Sequence, residues 1–184
     1  MPTPTERIEK RFSDPVATAT PWSAATERLA RAELAWIVTV RPDGRPHSTP
    51  AVPVFYDGKM YFHTGRHEVK HANLRANPNI LVLVGDSEWD HGLDVMFEGI
   101  ARPLTDPVAL RPVADEFRTR WDGRWILESA DGGLESLGAP DVDIVVYEVT
   151  PTKARGHAKG EPFGQTIYRF ADAPTPALTQ EGTR

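Results

Sequence analysis

Residues 61–78, YFHTGRHEVKHANLRANP, hold the densest set of side chains able to do chemistry. Thr64, Arg66 and Lys70 fall where an apolar run ending in His63 and Thr64 meets Gly65 and then a short helical pattern that Pro78 stops. A strand that runs into the first turn of a helix leaves backbone N–H groups without partners. A hydroxyl and two cations beside those groups make an anion site. Asn73, a helical turn beyond Lys70, joins the same face.

The same letters admit a second chemistry. His67-Glu68-Val69-Lys70-His71 satisfies the H-E-x-x-H pattern, in which two histidines on one helix face bind zinc and the glutamate acts as general base. The surroundings suit this zinc hydrolase reading poorly. Gly65 places His67 at or before the helix start, and a third ligand would have to come from Glu88, Asp90 or His91 in a short loop. Phosphate, zinc and a solvated basic turn are three readings of one stretch.

Composition narrows the classes. The chain of 184 residues is long enough for one domain with a sizeable core, and its 26% charged and 40% hydrophobic residues are those of a soluble globular protein. The absence of cysteine excludes disulfides, thiolate metal sites and cysteine nucleophiles. A net charge of −5 argues against a nucleic-acid partner. No apolar run approaches the ~20 residues of a membrane span, and the first residues lack a signal-like core, so a cytoplasmic protein with no membrane partner is expected.

The elements that must position these residues follow from local pattern. Residues 1–20 read as a flexible N-terminal arm, residues 21–170 as one domain and 171–184 as a C-terminal tail. A helix starts near Ser23, followed by strands at 35–40, 47–56 and 59–64, joined by turns at Asp43-Gly44 and Asp57-Gly58. Pro50 and Pro53 require the second strand to be irregular or at an edge. An apolar strand at 79–84 is expected to be buried on both faces, and Gly99 marks a bulge or corner in the strand at 93–101. Asp106-Pro107 opens a helix whose Leu110, Val113 and Phe117 keep helical spacing. Residues 122–140 read as a long loop with a short helix near 134–137, before strands at 143–150 and 160–170. The sum is an α+β, mainly β, antiparallel barrel of roughly six strands with flanking helices.

Three segments resemble the flavin-binding split-barrel superfamily, which contains pyridoxamine 5′-phosphate oxidase and the deazaflavin-dependent oxidoreductases. They are WIVTVRPDGRPHSTP, then YFHTGRHEVKHANLRANP, and the pair EGIARPLTD and PFGQTIYRF. The resemblance implies a six-stranded split β-barrel and a homodimer whose second subunit completes the site. It implies that Thr64 and Lys70 hold a cofactor phosphate. The cofactor ring would lie along Ser48, Thr49, Pro50, Val52, Pro53 and Val54, with His63, Arg66 and Asn73 in support. The oxidase's cations are absent from STPAVPV, a glutamine position falls near Asp94, and the C-terminal arginine motif is missing. The resemblance therefore leans toward proteins that bind coenzyme F-420, a deazaflavin, or FMN.

On this reading the chain is an oxidoreductase moving hydride between the cofactor and a small organic substrate, with no obligatory catalytic side chain. Trp89, Trp125 and Tyr168 are candidates to close the substrate side or to pack. A non-catalytic carrier or sensor of flavin, haem or another planar ligand is the alternative.

Overall fold

A strand of twenty residues, Ala139–Ala158, organises the fold. The computed structural model describes residues 3–123, 125–130, 133–136 and 139–171. In chain order the strands are β1 (Thr5–Ile8), β2 (Ala35–Val40), β3 (Pro46–Ala51), β4 (Pro53–Tyr56), β5 (Lys59–Gly65) and β6 (Asn79–Val84). They continue with β7 (Leu93–Pro103), β8 (Leu127–Ala130), β9 (Gly133–Ser136), β10 (Ala139–Ala158) and β11 (Gly164–Arg169). Helices α1 (Trp22–Arg31), α2 (Val69–Ala76) and α3 (Pro107–Arg120) flank them. This is an α+β split β-barrel with antiparallel pairing throughout.

Each edge of β10 serves two partners. Tyr147 pairs with Phe62 of β5 on one side and Pro103 of β7 on the other, and Ala154 pairs with Tyr168 of β11 and Phe97 of β7. One edge thus passes from β5 to β11, and the register shift between Pro151 and Lys153 lies at the change. Proline lacks the ladder donor, so a bulge there costs least. Gly99 of β7 pairs with Pro151, which places the expected corner at this bulge.

Alternation along the strands builds two cores. Met60 and Phe62 of β5, with Val145, Tyr147 and Val149 of β10, fill the barrel. Tyr61, Ile144 and Val146 point the other way, to Leu110, Val113 and Phe117 of α3. The helical spacing read around Asp106 therefore describes a core face, and Asp106 caps α3 by accepting from Val108 N–H at 3.0 Å.

Four expectations change. The supposed flexible arm supplies β1, whose residues Thr5 to Ile8 pair with Arg169 to Thr166 of β11. The second strand breaks at Val52 into β3 and β4, and β3 lies at the end of the sheet path, which satisfies both options its prolines left open. β6 is fully buried on one face only, through Ile80, Val82 and Val84, while Leu81 and Leu83 are half-exposed. Residues 134–136 belong to β9, not to a helix, because β10 extends far enough back to pair with them. With β8, which also lies in the expected loop, the described residues form eleven strands where roughly six were expected. The tail over 172–184 and Leu137 lie outside the described residues. Among the described residues no helix is long and apolar enough to cross a membrane.

Candidate functional site

The end of β5 and the start of α2 form a cradle for a negative group. Lys70, second residue of α2, is only 6% exposed although it is a lysine. Its ammonium is ion-paired with Glu68, the residue before the helix. The Glu68 carboxylate also accepts the Gly65 N–H at 2.8 Å. Burial pushes the Glu68 carboxyl up, but the hydrogen bonds from Lys70, Gly65 N–H and the Thr64 hydroxyl outweigh it and hold the carboxyl below its ordinary value. Of the groups expected to bind phosphate, Gly65 N–H, Thr64 and Lys70 converge on an anion, and that anion is supplied by the chain itself.

A second wall faces the same region. The β2–β3 register sets His47 opposite Thr39 and Thr49 opposite Ile37, so both side chains turn inward with buried partners. His47 Nδ1 and Thr49 Oγ1 are buried without a hydrogen-bond partner in the described structure. Burial, then Arg41, then Lys70 push the His47 imidazole down, so the ring is neutral near pH 7 and within the field of the Lys70 charge. Two orphaned polar atoms beside an anion cradle suit a ligand that carries both hydrogen-bonding ring atoms and a phosphate, as a flavin does.

The other expected residues divide by face. His63 lies on the opposite side of β5 from Thr64, with its ring 4.8 Å from Trp125 and 5.4 Å from Phe117. Val54 is buried in the α3 core, Pro53 is buried opposite Phe62, and Val52 occupies the break. Ser48 and Pro50 are exposed on the outer face, opposite Val38 and Trp36. Arg66 turns away to Asp143 of β10, with Nε 2.9 Å from the carboxylate. Asn73 is buried and donates to Thr39, so it braces α2 against β2. The structure thus gathers Thr64 and Lys70, turns Thr49 inward on β3 beside His47, separates His63, Arg66 and Val54 from the cradle, and adds Glu68 and His47. The period-2 alternation from Thr39 across the Asp43-Gly44 hairpin was the available signal for His47.

The zinc reading fails on geometry. His67 is exposed, whereas His71 is buried with Nδ1 2.9 Å from Tyr147 Oη, and Glu68 is engaged by Lys70. Among the described residues the metal-type side chains that converge are Glu88, Asp90 and His91, without either of those histidines. Of the three aromatics, Tyr168 is buried and donates to Thr20 O at 2.9 Å, and Trp125 packs on His63. Trp89 is exposed and lines a cleft of about 670 Å³ with Lys159, Glu161 and Phe163, away from the cradle.

The family model for pyridoxamine 5′-phosphate oxidase matches residues 22–158. The chain belongs to that family and, with it, to the flavin-binding split-barrel superfamily. Solved structures agree on the fold. A pyridoxamine 5′-phosphate oxidase-related, FMN-binding protein from Nostoc punctiforme is 16% identical with a TM-score of 0.59, over 87% of this chain and 100% of its own. A FAD-binding protein from Mycobacterium smegmatis is 21% identical with a TM-score of 0.54, over 84% and 100%. An F420 reductase is 22% identical with a TM-score of 0.50, over 70% and 93%. No curated protein matches the sequence.

Proposed function

We propose that this protein is a homodimeric oxidoreductase that binds coenzyme F-420 or FMN and passes hydride between the cofactor ring and a small organic substrate. The observation that carries the reading is the cradle: Gly65 N–H, Thr64 and buried Lys70 already hold a carboxylate where a phosphate would sit. Thr49 and neutral His47 are the side chains that would hydrogen-bond the ligand beyond the phosphate. Bound there, the ring supplies the redox chemistry, and the protein's part is to orient it and exclude water. The named FMN-binding protein and F420 reductase support a flavin-type ligand without choosing between the two.

A second copy of the chain has a natural seat in this reading. Trp36 is 51% exposed on the outer face of β2, beside Leu83 and Pro50, and Val38 and Leu81 extend the apolar surface. Titration of the purified protein with FMN and with coenzyme F-420, followed by ligand fluorescence, tests the cofactor. Saturable binding of at least one is expected, and binding of neither overturns the reading. Turnover of the reduced cofactor with an electron acceptor then separates an enzyme from a carrier.

A further inference from the structure

Both cations expected to attract a phosphate are already neutralised. Lys70 is paired with Glu68, and Arg66 with Asp143 at 2.9 Å. Glu68 also takes the Gly65 N–H at 2.8 Å, the backbone donor that a phosphate oxygen would need. An incoming phosphate must therefore displace this carboxylate. Tethered two residues from Lys70, the displaced group remains a neighbour of whatever replaces it. Arg41 and Arg75 lie near enough to act on His47 and His71, but no hydrogen bond or ion pair in the described structure joins them to Thr64, Gly65, Glu68 or Lys70.

The groups in direct contact, one lysine and one carboxylate, sum to zero, so those contacts hold no surplus positive charge for a dianion. A phosphomonoester such as that of FMN carries about 1.5 to 2 negative charges at pH 7. A phosphodiester, such as the one in the deazaflavin cofactor, carries a single charge on the same tetrahedral oxygens. Repulsion from the displaced carboxylate scales with that charge and offsets the equally scaling attraction of Lys70, whereas the N–H and hydroxyl contacts are shared by both.

Resting on the proposed reading that this cradle takes a cofactor phosphate, we infer that Glu68 determines specificity at the site. It cancels the advantage that Lys70 would otherwise give a doubly charged phosphomonoester over a singly charged phosphodiester. Glu68 acts on the phosphate alone and does not touch the ring.

Three ligands with one ring separate these effects: riboflavin, its cyclic phosphodiester, and FMN. Affinities are measured by fluorescence quenching at pH 7.5 and fixed ionic strength. The intact protein should bind the diester at least as tightly as FMN. Glu68→Gln keeps an acceptor for Gly65 N–H and removes the charge. It should tighten FMN by at least about fivefold, the diester by less, and leave riboflavin unchanged. Glu68→Asp retains the charge and should keep the original order, which guards against a general effect of altering the turn. Equal changes for all three ligands, or FMN binding indifferent to the Gln variant, would overturn the inference while leaving the cofactor assignment standing. Failure of all three ligands and of coenzyme F-420, titrated alongside them, to bind either form would instead remove the cofactor assignment, and the inference with it.

Discussion

Asn73 donates from Nδ2 to Thr39 Oγ1 at 2.9 Å, and both side chains are buried. This contact ties α2, and with it Lys70, to the inner face of β2. Asn73→Ala leaves the Thr39 hydroxyl without its donor, and a loss of about 1–3 kcal/mol is expected. For a chain of this size that corresponds to a drop in Tm of several degrees, readable by calorimetry. Adding Thr39→Val to Asn73→Leu should recover part of the loss, because an apolar pair leaves no orphaned group.

Lys70→Ala removes the cradle's buried cation. A weakening of at least a few-fold is expected for FMN and for coenzyme F-420, with riboflavin unaffected, since riboflavin has no phosphate to meet the ammonium. Fluorescence titration of the three ligands checks this, and an unchanged FMN affinity would remove Lys70 from the site.

His63 provides a pH signature of the fold. Burial against Phe117 and Trp125 is the main cause that pushes its imidazole down to about 4, with Glu68 opposing and Lys70 assisting. The folded state holds the neutral ring, whereas the unfolded chain takes up a proton below its ordinary 6.5. This contribution to stability is complete above pH 6.5, declines as the pH falls toward 4, and changes no further below that. His63→Phe should remove roughly 2 kcal/mol of the acid-side loss. Urea denaturation at pH 7, 5.5 and 4.5 would show a flatter profile for the variant. Equal slopes would mean that the ring is not held neutral.

Gly99 of β7 lies against the bulge in β10. A Cβ there would sit 2.5 Å from the Thr150 carbonyl oxygen and 2.8 Å from Val149 Cγ1. Neither the backbone oxygen nor a buried valine can yield cheaply, so Gly99→Ala should destabilise by about 1–3 kcal/mol. A lowered urea midpoint with unchanged slope is the expected observation.

Trp36→Glu places a charge on the outer face of β2. If that face seats a second copy, light scattering should show a monomer for the variant and a dimer for the parent protein, with Tm little changed when extrapolated to low concentration. A dimeric variant would move the interface elsewhere.

Much of this was legible because it was local. The turn at Asp43-Gly44 and the one at Asp57-Gly58 both carry positive-φ glycines, and the strands they join stand within a residue or so of their expected limits. Thr64 and Lys70 were readable because a strand-to-helix junction is itself a local feature. What escaped depended on distant partners. Residues 5–8 have little pattern of their own and become a strand only because β11, some 160 positions later, offers an edge. Separating His63 from Thr64 needed the two-residue period and knowledge of what covers each face, since β5 is buried on both. Glu68 escaped for another reason: read as part of a zinc pattern, its carboxylate was not considered as an occupant of the anion site beside it.

The prolines of β3 have a consequence for life in a crowded cell. Residues 46, 48 and 50 alternate in register with Val40, Val38 and Trp36 of β2, so their backbone nitrogens share one direction. Proline has no hydrogen to give β2, and the ladder holds, so that direction is toward the open edge of the sheet. Two of the three outward donors are therefore missing. Along residues 46–50 a stray strand from a nascent or misfolded chain finds one outward N–H donor, that of Ser48, beside the carbonyl acceptors, which weakens edge-to-edge pairing.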